Sequence, residues 1–165
     1  MNDIETTYVC IKNLKSYGDY YQRWEQIKNI YKPQIDTDLF GSDIQYTPHD
    51  YTNHCTDIYR ILDIIIPNEA YGGTISTEQL FYLNVAVIMH DVAMVFAPDS
   101  RFNHSEEAKK YILDQVILRN DSFLSNVLNG EEASFISEVV LGHSDVKDDK
   151  GEIKIKTLNT LPSKN

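Results

Sequence analysis

Apolar positions along the chain recur mostly at helical spacing, cut by proline, glycine and short polar stretches. Residues 11–31 predict a helix with Ile11, Leu14, Trp24, Ile27 and Ile30 as its apolar members. Gly18 is a candidate break, and Pro33 a stop, because proline disfavours helical geometry in the residue before it. Residues 34–51 read as loop: Asp, Gly, Ser, Thr and Pro48 are frequent and apolar periodicity is absent. A second helix is expected from Thr52 or Asn53 to Ile66, stopped by Pro67, with a turn-rich connection over 67–75. Ser76 with Gln79 three residues on forms a capping-box pattern that opens a third helix, reaching about Phe96. Ser105 is the expected cap of a fourth helix, whose first turn holds Glu106 and Glu107, favourable beside the positive end of the dipole. Helices around 121–129 and 131–142 follow, parted by Asn129-Gly130. Only Ile153 to Lys156 alternates in the manner of a strand, so the expected fold class is all-α.

The 165 residues suit one domain, and an apolar share of 42% with 24% charged residues supports one sizeable core rather than disorder. Cys10 and Cys55 define no disulfide framework and suit a reducing compartment. The net charge is −10; residues 1–100 hold 6 basic and 14 acidic side chains, and residues 101–165 hold 9 and 11. Such an acidic chain argues against wrapping duplex nucleic acid, which requires clustered Lys and Arg. Met1 to Tyr8 carries acidic residues where a signal peptide would be basic, and the expected compartment is the cytoplasm. Leu80 to Ala97 is about long enough to span a bilayer, but His90 and Asp91 lie within it. It reads as a buried helix with no membrane role.

From Val85 to Phe96 every residue except His90 and Asp91 is apolar, which places this helix at the centre of the fold. An ionised carboxylate there is costly without a compensating charge, and a divalent cation would reverse the penalty. The other histidines fall on inward-facing stripes. His54, Ile58, Ile61 and Ile65 form one on the second helix; Ile136, Val139, Val140 and His143 form another; His104 precedes Ala108 and Tyr111. A single such histidine is more often a satisfied core or capping residue, and a buried Asp can pair with Arg or cap a helix. The joint pattern points to a metal site. Thiolate ligands are not expected, since Cys10 is remote and Cys55 points about 100° away from His54.

The ordered set resembles the HD-domain superfamily of metal-dependent phosphohydrolases, in particular the branch found beside gyrase- and chaperone-type ATPase domains. A histidine-bearing entry, an "LLxAxxxHDxxM"-like helix, an "RxxH" segment and a further histidine follow in order. Here they read Thr47-Pro48-His49-Asp50-Tyr51-Thr52-Asn53-His54, then Leu83 to Met94, then Arg101-Phe102-Asn103-His104, then Gly142-His143-Ser144-Asp145. The resemblance covers about residues 40–146. It implies an HD-like helical bundle as a single domain over 1–165, with an N-terminal helical segment (1–33), a core carrying the metal site (34–146) and a tail (147–165).

The resemblance further implies one or two divalent ions and hydrolysis of a phosphoester. His54, His90 and Asp91 look like metal ligands, and His104 and His143 like the histidines that hold a second ion. Asp91, His104 and Arg101 then carry catalysis, with Arg101 on substrate phosphate. Ligand type admits Mn, Fe, Co, Ni, Zn or Mg. The expected substrate is a nucleotide, cyclic nucleotide or other phosphorylated small molecule, and the expected partner an ATPase-type protein or a missing C-terminal domain. Two departures exist. The superfamily's closing Asp, in a segment similar to "LRLAD", has no counterpart, which points to a fragment, a truncated product or Asp145 as substitute. Met94 stands where many members have a Lys. A catalytically impaired sensor or interaction module is therefore the alternative reading, and a plain helical domain with satisfied histidines the third.

Overall fold

The computed structural model describes residues 7–40, 50–96, 103–142, 146–147 and 153–154. The fold is all-α, as the periodicity predicts. Helix α1 (Val9–Lys15) is capped from a distance: the Asp63 carboxylate accepts the backbone N–H groups of Val9, at 2.9 Å from Oδ2, and of Cys10. After a turn at Ser16 and Tyr17, α2 (Gly18–Phe40) runs past Pro33, so the expected stop at Pro33 and the first part, 34–40, of the loop expected over 34–51 are corrected, while residues 41–49 of that loop lie outside the described residues. Trp24, Ile27, Tyr31 and Ile35 lie along one buried stripe of α2, and burial of Tyr31 and Ile35 on both sides of Pro33 outweighs the lost backbone bond. Each such apolar side chain contributes about 1.5–3 kcal/mol when removed from water.

A π-helical turn (Tyr51–Cys55) leads into α3 (Thr56–Ile65). A short 3₁₀ turn (Asn68–Ala70) and a tight loop closed by the Tyr71–Ile75 bridge follow, with Gly72 at a positive φ of 76°. Helix α4 (Thr77–Met89) opens with the expected capping box of Ser76 and Gln79. It is the axis of the bundle: Leu80, Phe81, Val85, Ile88 and Met89 are all buried, and α1, α2 and α8 pack around it. The helix does not continue to Phe96 as expected. It stops at Met89, turns at His90 and Asp91, and resumes as α5 (Val92–Phe96).

Helix α6 (His104–Leu113) begins two residues earlier than expected, with Asn103 at its cap. Ser105 does not cap it but lies buried in its first turn. A second π-helical turn (Asp114–Leu118), α7 (Phe123–Val127) and α8 (Gly130–Gly142) complete the bundle. The strand pair β1 (Val146–Lys147) and β2 (Ile153–Lys154) is antiparallel and only two residues long. The run Thr77–Phe96 is long and apolar enough to cross a membrane by length and composition, yet 78% of its apolar window is buried inside the bundle.

Of the stripe His54, Ile58, Ile61, Ile65 that was expected to face the core, only Ile58 packs against it. Ile61 is 51% and Ile65 65% exposed, while Cys55, Tyr59 and Leu62 turn inward. Two stripes lie one residue apart on this helix, and the structure buries the one through Cys55, Tyr59 and Leu62, whose i, i+4, i+7 spacing is that of an ordinary helix. The outward isoleucines flank an apolar cleft of about 410 Å³ between Leu62, Ile66, Leu83 and Phe135, at the end of α3 and α4 away from the histidines.

Candidate metal centre

His54 is placed by its turn. Asp50 caps the turn, accepting the Asn53 N–H at 2.7 Å, and the Asp50 carbonyl accepts from His54 N at 2.9 Å. Asp36 on α2 accepts the Thr52 N–H at 3.2 Å and is itself paired with Lys32, tying the turn to the long helix. Asp50 and Asp36 were not singled out from sequence. An Asp three residues before Asn53 at a helix start was the available sign for Asp50; nothing local marks Asp36.

His90 and Asp91 are placed by the break between α4 and α5. His90 N still bonds Ala86 O at 2.9 Å, but Met94 N reaches only three residues back, to Asp91 O, also at 2.9 Å. Adjacent residues on a continuous helix point about 100° apart. The tight turn lets both side chains converge: His90 Nε2 lies 2.9 Å from Asp91 Oδ2. His54 Nε2 lies 3.1 Å from His90 Nε2 and 3.5 Å from Asp91 Oδ2. His104, first residue of α6, sets its Nε2 3.6 Å from the other oxygen, Asp91 Oδ1. Stacking of Phe96 on Tyr111 (centroids 4.8 Å apart, planes 6° from parallel) joins α5 to α6 and holds that approach.

The protonation pattern is constrained. His90 Nδ1 is 2.8 Å from the Val87 carbonyl, which can only accept, so Nδ1 carries a proton. In the neutral ring the Nε2 lone pair then faces a carboxylate oxygen at 2.9 Å. A second proton on the ring or a cation among the donors makes that approach favourable. The side chain of Asp91 is 3% exposed, while those of His54 and His104 are each 24% exposed, so the cluster is buried on one side and open on the other.

His54, His90 and Asp91 form a group that could hold a metal ion. Ligands at roughly 2.0–2.2 Å from a common ion stand about 2.8–3.6 Å from one another, from octahedral to tetrahedral geometry, a range that includes the 2.9, 3.1 and 3.5 Å spacings found here. The N–H···O=C bond of His90 is also the outer contact that metal-binding histidines use to fix tautomer and ring orientation. The thiols do not join: Cys55 Sγ donates to the Val87 carbonyl at 3.3 Å, and burial, then the Asp91 charge, push its pKa up. Burial, followed by the Asp63 charge, pushes the Cys10 thiol up to about 12.

Of the expected site residues, the structure brings together His54, His90, Asp91 and His104. Arg101, His143, His49 and Asp145 lie outside the described residues. Ile136 and Val140, on the stripe expected to carry His143, are buried. Met94 is buried as well.

Comparison of the chain with family models, curated proteins and solved structures gives no match in any of the three.

Proposed function

We propose that the chain is a metal-dependent phosphohydrolase of HD type, acting on a nucleotide, cyclic nucleotide or related phosphoester. The observation that carries the reading is the convergence of two imidazole nitrogens and a buried carboxylate at coordination-shell spacing, with His90 locked in the tautomer that turns Nε2 toward the cluster. His54, His90 and Asp91 hold the ion. A bound divalent ion supplies a water of lowered pKa and neutralises phosphoryl charge. Asp91 divides its two oxygens, Oδ2 toward His54 and His90, Oδ1 toward His104, and so orients groups on both sides of itself. His104 stands at the open side of the cluster, where an imidazole can pass a proton to the leaving oxygen. His143 and Arg101 keep the roles expected of them, a second-ion ligand and a phosphate contact.

One observation favours a second reading, a metal-holding module without turnover. Met94 is buried and uncharged at the position where a lysine is usual, so no cation is supplied there for substrate. Elemental analysis of the purified protein with a phosphomonoester, phosphodiester and nucleotide panel separates the readings. Metal with turnover, both lost in His90→Ala and Asp91→Ala, supports the hydrolase. Metal without turnover supports the module. No metal at any added divalent ion rejects both.

A further inference from the structure

The structure assigns Cys55 a role as positioning residue for the metal centre: its thiol holds the Val87 carbonyl that orients His90, and so fixes the register in which His54 and His90 meet. The inference rests on the proposed metal reading and adds to it a residue that takes no part in ligation.

Cys55 directly follows His54 on the π turn and is fully buried. Its Sγ donates to Val87 O at 3.3 Å, and His90 Nδ1 donates to the same oxygen at 2.8 Å. Val87 lies in the last turn of α4, where helical carbonyls lose their partners four residues on. A carbonyl oxygen has two lone pairs, so both donors are accommodated. One element contributes His54 and Cys55; the other contributes His90 and the carbonyl that Cys55 and His90 share.

A second rung repeats the arrangement one turn further along. Tyr59, four residues after Cys55, donates its hydroxyl to Asn84 O at 3.2 Å, and Asn84 is three residues before Val87. Tyr59→Asn84, Cys55→Val87 and His54–His90 are thus successive rungs between antiparallel α3 and α4. Sliding α3 by one residue would break the first two and separate the two Nε2 atoms. The thiol aims at the carbonyl rather than into the cluster, which distinguishes it from a ligand.

The test compares Cys55→Ser, Cys55→Ala and Cys55→Val. Serine keeps a donor, valine keeps bulk without one, and alanine lacks both. Two readouts are taken on full-length protein: Mn²⁺ affinity by calorimetry, and the His90 ring tautomer by imidazole ¹⁵N NMR on metal-free protein. The expected result is that serine retains the Nδ1–H tautomer and an affinity near wild type. Alanine and valine lose the single tautomer and bind Mn²⁺ roughly 10- to 100-fold more weakly, as loss of outer contacts does at other metal sites. Wild-type tautomer and affinity in alanine and valine would overturn the proposal. If wild type binds no Mn²⁺, the tautomer alone decides the positioning role, and the metal reading falls only if none of the other divalent ions binds either. If valine does not fold, the serine and alanine pair decides.

Discussion

His54 Nε2 and His90 Nε2 face each other at 3.1 Å, although 36 residues separate them and the rings belong to a π turn and to a helix break. The contact follows from two local departures from regular helix, one on each side. Both departures present ring nitrogens to the buried carboxyl group of Asp91.

Removing a member of the triad should abolish metal retention without unfolding the protein. His90→Ala and Asp91→Ala are expected to lower divalent-ion affinity by more than roughly 100-fold, beyond the loss typical of an outer contact. Asp91→Asn keeps the shape and removes the charge, so it should lose metal equally. Titration calorimetry with Mn²⁺, with thermal unfolding as the folding control, checks both.

His104 meets Asp91 through Oδ1 rather than Oδ2, so its loss should differ in kind. His104→Ala is expected to keep an ion at His54, His90 and Asp91 while turnover of a phosphoester falls by roughly 10²–10⁴-fold, the range of general acid–base contributions. Metal content measured beside kcat distinguishes this from triad loss.

Alkaline pH should weaken the fold. Burial, with the Asp63 charge adding to it, raises the Cys10 thiol from 9.0 to about 12, and burial raises Tyr31, Tyr51 and Tyr59 above 10.0. An acid held neutral in the folded state contributes fully below its unfolded pKa, and the contribution is lost as pH rises toward the folded value. Stability should therefore hold near neutrality and decline above about pH 9, where the unfolded thiol begins to ionise. Denaturant unfolding at a series of pH values shows the slope, and Cys10→Ala should reduce it between 9 and 12.

The outward isoleucines and the inward tryptophan of the same bundle should respond in opposite ways. Ile64 is 76% exposed, so Ile64→Lys should change unfolding free energy by no more than about 0.5 kcal/mol. Trp24 is fully buried, so Trp24→Ala should cost about 3–5 kcal/mol.

The capping box at Ser76, the inward stripe of Ile136 and Val140 and the central place of Val85 to Met94 were legible, because each is written in one short stretch, although Phe96, read as part of the same central run, is exposed. The meeting of His54, His90, Asp91 and His104 was legible as a pattern of residue types, though not as a geometry. Helix α2 outlasted Pro33 because tertiary burial of Ile35 competes with a local rule. The face of α3 was misread because two stripes one residue apart, His54-Ile58-Ile61-Ile65 and Cys55-Tyr59-Leu62-Ile66, both have helical spacing, and periodicity alone does not choose between them. The break at His90 was hidden for the opposite reason: apolar residues continue on both sides of it, with neither glycine nor proline to mark it.

The most direct measurement is metal stoichiometry by elemental analysis, on wild type and on Asp91→Ala, as purified and after incubation with Mn²⁺, Zn²⁺, Fe²⁺, Co²⁺, Ni²⁺ and Mg²⁺. The account predicts at least one tightly held divalent ion per wild-type chain and none in the variant. It further predicts that a hundredfold excess of free ion over Kd raises unfolding free energy by about 2.7 kcal/mol in the wild type alone. A wild-type chain that stays metal-free with every ion, its unfolding unchanged, would contradict it.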